Sequence, residues 1–213
     1  GYSVATSADG KTIIVGAKND SYPFTGAASG LAYVFDREGN NFNEIGILRG
    51  THATDLIDYF GESVATSADG KTIVVGAIAD ETSGPNDTGL VYVFEREYQV
   101  GIGTTFNEVG ILTGSHATDD DDKFGKSVAI SADGKTIVVG AHEDETSGIA
   151  GEAGVAYVFK RQGNNFNEVG ILTGSHATDD DHFGFDVAIS ADGKTIVVGA
   201  YDDEIPDVPQ RSG

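Results

Sequence analysis

Three features of the sequence predict an all-β protein, a β-propeller of four-stranded antiparallel blades. The first is a repeat: "SADGKTIVVGA" stands at 67–77, 131–141 and 190–200, and "SADGKTIIVGA" at 7–17. The second is its period. The Val-Ala pairs that begin at Val4, Val64, Val128 and Val187 are 60, 64 and 59 residues apart, a spacing that belongs to propellers and arrays. The third is apolarity on both faces of the central strands, as in residues 72–77 and 90–94. A sheet with one wet face would alternate apolar and polar residues. Radially stacked blades cover each sheet on both sides. A stacked β-solenoid also repeats, but its rungs are usually shorter.

Each unit reads as four strands. Strand A is Ser63 to Ser67 and its equivalents. Asp69-Gly70 follows, a two-residue hairpin signal that predicts a type I′ turn with positive φ at both residues. Strand B, Thr72 to Ala77, is rich in β-branched residues, which fit a pleated surface. A loop rich in Gly, Asp and Ser leads to strand C, Leu90 to Phe94, matched by Leu31 to Phe35 and Val155 to Phe159. A polar C–D loop comes next. In the second unit it is lengthened, from Glu95 to Thr105, which accounts for the longer step. Strand D is Phe106 to Leu112, and "GSHATDDDDKFG" returns the chain to the next strand A. The blades are therefore 1–59, 60–123, 124–182 and 183–213, the last holding strands A and B alone. Three and a half blades do not close a ring. The chain is expected to be a window of a larger propeller of about seven blades, and two copies completing one ring is the alternative.

Composition narrows the partners. The formal net charge is −21, which repels nucleic acid and anionic membranes. No apolar run approaches the 18 or so residues of a membrane span, so no membrane insertion is expected. The absence of cysteine excludes disulfides and thiolate metal sites. Antiparallel order puts the B–C and D–A loops at one end of each blade, here called the top. Most of the 34 acidic residues fall in those loops.

Phe-Gly precedes strand A at Phe60-Gly61, Phe124-Gly125 and Phe183-Gly184, and Gly-Ala closes strand B at Gly16-Ala17, Gly76-Ala77, Gly140-Ala141 and Gly199-Ala200. This pattern resembles the FG-GAP repeat of the integrin alpha-subunit β-propeller. It is more similar still to the FG-GAP-type repeats of secreted bacterial and algal proteins, with their Ser-x-Asp-Gly-x-Thr turn and Tyr-Val-Phe strand. The resemblance spans essentially the whole chain. It implies an extracellular or cell-surface module without enzymatic activity, engaged in adhesion, ligand binding or scaffolding, with other extracellular proteins or glycans as partners. Integrin-type blades often hold calcium in the A–B loop on a D-x-D-x-D-G-x-x-D pattern. Here Asp9, Asp69, Asp133 and Asp192 each stand alone in that loop. Calcium takes about 6–8 oxygen ligands, so the A–B hairpins are not expected to hold it.

Two groups of top-face acids are candidate calcium ligands. The D–A loops supply Asp55, Asp58, Asp119, Asp120, Asp122, Asp179 and Asp181. The competing reading is that these carboxylates accept backbone N–H bonds as Asx turns leading into strand A. The B–C loops supply Asp80, Asp144 and Asp203. Close like charges need a counter-ion or solvent between them. His52, His116 and His176 recur within His-Ala-Thr-Asp and are expected to pack rather than to bind metal, while His142 and His182 have no counterparts and read as surface residues. Asn19 and Asn86 begin N-x-[ST] sequons in the B–C loops, glycosylation candidates if the chain travels a secretory route.

No nucleophile elbow, zinc-protease helix, P-loop or cysteine nucleophile is present. A glycosidase needs two carboxylates in unequal environments, and near-identical loops give near-identical ones. The sequence therefore predicts a non-enzymatic extracellular module for adhesion or ligand binding through an acidic top face, with calcium as the cofactor to test. The alternative is a structural building block of a fibre, appendage or surface layer that self-associates. A glycoside hydrolase is the remote third.

Overall fold

The computed structural model describes residues 1–21, 29–53, 57–81, 88–117, 121–145, 151–175, 178 and 180–202. The first blade holds β1 (Ser3–Thr6), β2 (Thr12–Ala17), β3 (Leu31–Glu38) and β4 (Asn41–Leu48). The second holds β5 (Phe60–Thr66), β6 (Thr72–Ala77), β7 (Leu90–Gln99) and β8 (Gly103–Leu112). The third holds β9 (Ser127–Ile130), β10 (Thr136–Ala141), β11 (Val155–Gln162) and β12 (Asn165–Leu172). A fourth sheet pairs β13 (Asp186–Ile189) with β14 (Ile196–Gly199). Strands follow chain order within every sheet and all pairs are antiparallel. The innermost strands β1, β5, β9 and β13 lie side by side from blade to blade.

The two-sided burial that the sequence predicts is plain in strand B. All six residues of β6 and of β10 are buried, because each lies between two neighbouring sheets. In β2 and β14 burial alternates, as it must where one face is covered. Phe60 sits in the seam against Tyr92 and Phe94, with ring centroids 5.4 and 6.1 Å away. Phe124 repeats this against Tyr157 and Phe159 at 5.3 and 6.0 Å. Such aromatic contacts add about 0.5–1.5 kcal/mol each beyond the area they bury.

The Phe-Gly and Gly-Ala pairs form the seam between blades. The Phe60, Phe124 and Phe183 N–H groups donate to Ser29, Thr88 and Ala153 of the preceding blade's B–C loop. The following glycine has φ near +90°, at 91° in Gly61, 92° in Gly125 and 97° in Gly184, which only glycine adopts without strain. That conformation turns its carbonyl onto the Gly-Ala glycine next door. A Cβ on Gly76 would lie 2.1 Å from the Gly125 oxygen, and one on Gly140 would lie 1.9 Å from that of Gly184.

The A–B turn differs from the type I′ hairpin expected. Gly10 has φ 66°, but Asp9 is not in the positive-φ region. The loop spans four residues between Ser7 and Thr12, with Ser7 N–H donating to Thr12 O at 2.9 Å and Gly10 N–H to Ser7 O at 2.9 Å. This is a four-residue hairpin built on a type I-like turn. The Ser7 hydroxyl donates to Asp9 Oδ1 at 2.7 Å and accepts from Thr12 N–H at 3.0 Å. Ser67, Ser131 and Ser190 repeat both bonds. Successive turns are joined as well: Ala8, Ala68 and Ala132 N–H each donate at 3.0 Å to the carbonyl of Ala68, Ala132 and Ala191.

The C–D connections are also tighter than expected. Glu38 pairs with Asn41 and Gln162 with Asn165, leaving two-residue turns led by Gly39 and Gly163 at φ 63° and 65°. In the second blade, residues 95–105 are not a long loop. They extend β7 and β8 to a Gln99–Gly103 pair with Val100, Gly101 and Ile102 at the tip. Thr, Tyr and Val there favour strand, and the extra length becomes a protruding hairpin.

Candidate ligand-binding face

The repeat copies its scaffold faithfully and varies at a few positions. The residue after Phe-Gly is Glu62, Lys126 or Phe185, and its first-blade counterpart is Tyr2. The residue after Gly-Ala is Lys18, Ile78, His142 or Tyr201. The fold brings most of these together at the top, around the inner strands. Lys18 Nζ stands 3.8 Å over the Tyr2 ring and 2.8 Å from Glu62. Lys126 reaches the other Glu62 oxygen at 2.9 Å and lies 5.1 Å over the Phe185 ring. Phe185 meets Tyr201 at 4.7 Å and His142 at 5.4 Å. Four blades thus contribute to one continuous row. Tyr2, Glu62, Lys126, Phe185 and Asp186 line a cleft of about 450 Å³ at its centre.

Glu62 is the hub. Its side chain is 1% exposed. Burial alone would push its carboxyl up, but the hydrogen bonds from Lys126 and Lys18 outweigh that and hold it below the ordinary glutamate value. For Lys18, burial works downward and the Glu62 contact wins, leaving the ammonium harder to deprotonate. Lys18 therefore stays charged at neutral pH beside an ionised Glu62.

His142 and His182 do not sit on the open surface as the sequence suggested. Their side chains are 9% and 13% exposed, and their rings are 5.7 Å apart. His142 lies 3.0 Å from Glu143, yet burial, with Lys126, His182 and Lys123 nearby, lowers its pKa to about 4. His182 lies between Glu152 at 3.3 Å and Asp202 at 3.4 Å and stacks on Tyr201. Neither burial was visible in the sequence, because it comes from residues of the neighbouring blade.

The predicted acids divide. Asp80 and Asp144 are buried and accept the strand C tyrosine hydroxyls, Tyr92 at 2.6 Å and Tyr157. Asp20 does the same for Tyr33 at 2.6 Å, which lifts that phenol to about 12. Burial first, and then the aspartate, pushes the Tyr92 and Tyr157 phenols above their usual range. In the D–A loops, Asp58, Asp122 and Asp181 are buried at 4%, 2% and 2% exposure. Each lies between two residues of positive φ: Ile57 and Tyr59, Asp121 and Lys123, Asp180 and His182. Asp181 accepts from the Thr178 hydroxyl at 2.9 Å and from Thr178 N–H. It caps the loop behind it rather than strand A ahead. Asp55, Asp119, Asp120, Asp179, Asp203, Asn86 and His176 lie outside the described residues. Among the described residues, no three His, Asp or Glu side chains gather as a metal cage. The A–B aspartates do not fit calcium, since Asp9 Oδ1 is already engaged by Ser7 Oγ and Lys11 N–H. Asn19, His52 and His116 are exposed. The side chains of the two histidines do not pack, and their structural role is carried by the backbone, which hydrogen-bonds the Tyr92 and Tyr157 hydroxyls.

A repeat whose aromatic-glycine turn locks onto a glycine of the preceding blade, with variable residues displayed at one end, defines a propeller-blade repeat protein. The chain belongs to the FG-GAP repeat family, whose model matches residues 55–94, 106–159 and 166–213, more than half of the chain. No curated protein sequence matches it. Among solved structures it is similar to Sqt1 of Chaetomium thermophilum, with 19% identity and a TM-score of 0.57, covering 92% of this chain and 40% of that one. The β-propeller domain of Cps50 (Swd1) from Myceliophteria thermophila aligns at 11% identity and TM-score 0.56, covering 94% and 50%. A putative 6-phosphogluconolactonase from Bacteroides fragilis aligns at 15% identity and TM-score 0.52, covering 83% and 38%. These likenesses establish the propeller fold. The chain spans half or less of the length of each of these structures.

Proposed function

We propose that the chain is an extracellular, non-catalytic binding module that engages other extracellular proteins or glycans through its top face. One observation carries this reading. The positions that vary within an otherwise copied repeat converge on one row from Tyr2 through Glu62 and Lys126 to Phe185. Scaffold positions repeat because packing repeats, and recognition needs differences. FG-GAP repeats are typical of extracellular and surface proteins, which supports the location, and exposed Asn19 is its accessible glycosylation candidate. The same reading takes the D–A loops that carry Asp58, Asp122 and Asp181 as the place where calcium would assist.

The test is binding to arrays of extracellular proteins and glycans, with and without calcium. A variant carrying Glu62→Ser, Lys126→Ser and Phe185→Ser is compared with the wild type. Binding lost in a variant that still melts cooperatively supports the proposal. A wild-type chain that binds nothing overturns it. A second reading, a self-associating structural unit, draws on the second-blade hairpin. There Tyr98, Val100 and Ile102 are 76%, 94% and 71% exposed, an apolar tip in a highly charged protein.

A further inference from the structure

We propose that the cleft at the centre of the top face takes a neutral saccharide, with the aromatic rings in its lining meeting the sugar faces and charged groups reading the hydroxyls. This deepens the binding-module reading and rests on it. The cleft is lined by Tyr2, Glu62, Lys126, Phe185 and Asp186, with Lys18 beside it. Two cations face two carboxylates, so the site has no net charge to attract an ion. Its volume of about 450 Å³ lies within the roughly 300–1,000 Å³ of small-ligand sites.

The residue types fit the two chemistries of a pyranose. Its C–H faces are apolar and stack on aromatic rings, and Tyr2 and Phe185 are both in the lining of the cleft. Its hydroxyl rim needs donors and acceptors held in fixed positions. Lys126 is held by Glu62 at 2.9 Å and supplies donors. Asp186 supplies acceptors. It stands where the other blades carry Ser3, Ser63 and Ser127, each of which donates to the next blade's glycine carbonyl. Aspartate lacks the serine hydroxyl that makes that bond, so this substitution breaks the scaffold rule inside the cleft. An acidic saccharide is disfavoured by the net charge of −21, which repels anions at long range.

The experiment is calorimetric titration of the chain with neutral trisaccharides of glucose, galactose, mannose, xylose and N-acetylglucosamine, and with trigalacturonate. Expected is binding of at least one neutral trisaccharide, with trigalacturonate at least tenfold weaker. Phe185→Ala and Asp186→Asn should each weaken binding tenfold or more, while Tyr98→Ala, on the distant hairpin, changes nothing. Phe185→Leu serves if the alanine variant fails to fold. Silence from every neutral sugar overturns the proposal, as does affinity unchanged by both cleft variants. Preference for trigalacturonate overturns it too and moves the recognition to the lysines. If array binding to a protein persists while no sugar binds, the saccharide site falls and the binding module stands. If nothing binds at all, both fall.

Discussion

The Ser63 hydroxyl donates a 2.7 Å hydrogen bond to the carbonyl oxygen of Gly125, which belongs to the next blade. Ser3 and Ser127 make the same bond to Gly61 and Gly184, at 2.9 Å each. The bond exists because a positive-φ glycine turns its carbonyl into the seam and because the glycine facing it has no side chain.

Gly76→Ala tests that seam. The added methyl would meet the Gly125 oxygen, and overpacking of this kind costs about 1–3 kcal/mol. Thermal unfolding should fall by roughly 2–12 °C at 2–4 °C per kcal/mol for a domain of this size. Gly170→Ala, in β12 with nothing within 4 Å of the new carbon, should melt like the wild type.

Tyr92→Phe removes one donor from the buried Asp80 carboxylate. The expected loss is about 1–3 kcal/mol, the cost of under-satisfying a buried polar group. Tyr33→Phe removes the equivalent bond to Asp20 where it is exposed, and should cost less than about 1 kcal/mol. Denaturant titration of the two variants side by side measures the difference.

His142 sets a pH limb. Its folded pKa is lowered to about 4, whereas the unfolded side chain titrates near 6.5. Between those values the unfolded state binds the extra proton, so stability falls as pH drops from about 6.5 to about 4, by roughly 3 kcal/mol at 1.36 kcal/mol per unit. His142→Gln should flatten this limb in melts across that range. Glu62 acts lower. Its folded pKa is depressed, so its contribution is present above the unfolded value and is lost below it. Glu62→Gln should therefore alter the profile below about pH 4.3.

The proposed calcium assistance is tested by the melting temperature. Binding to the native state alone adds about 4 kcal/mol at 1,000 times Kd, or roughly 8–16 °C here. Melts in EDTA, millimolar calcium and millimolar magnesium check this. The proposal expects a calcium-specific rise of that order, reduced by Asp122→Asn and Asp181→Asn, and melts unchanged by calcium overturn it.

The blades were legible because packing repeats. Val64, Ile73, Val75 and Phe94 in the second unit and Val128, Ile137, Val139 and Phe159 in the third pack into equivalent cores, and their spacing shows in the sequence. The A–B turn was misread because Asp69-Gly70 dominates a local reading. The Ser67 hydroxyl that closes the longer loop through Asp69 and Thr72 is a side-chain contribution that turn rules for two residues leave out. The hairpin of β7 and β8 was hidden by its charged flank at Glu95, Arg96 and Glu97, since a strand projecting into solvent needs no buried face. The row of variable residues had a signal in plain view. Tyr2, Glu62, Lys126 and Phe185 differ at one position of a motif that is otherwise copied. Only the ring geometry shows that these four side chains meet.

The protruding hairpin of the second blade has a consequence for symmetry. Copied blades present similar surfaces at successive angles about the propeller axis, so the shared surface alone would not distinguish one blade from the next. Tyr98, Val100 and Ile102 mark a single azimuth among the described residues. Contact with this tip would fix an orientation relative to the described blades.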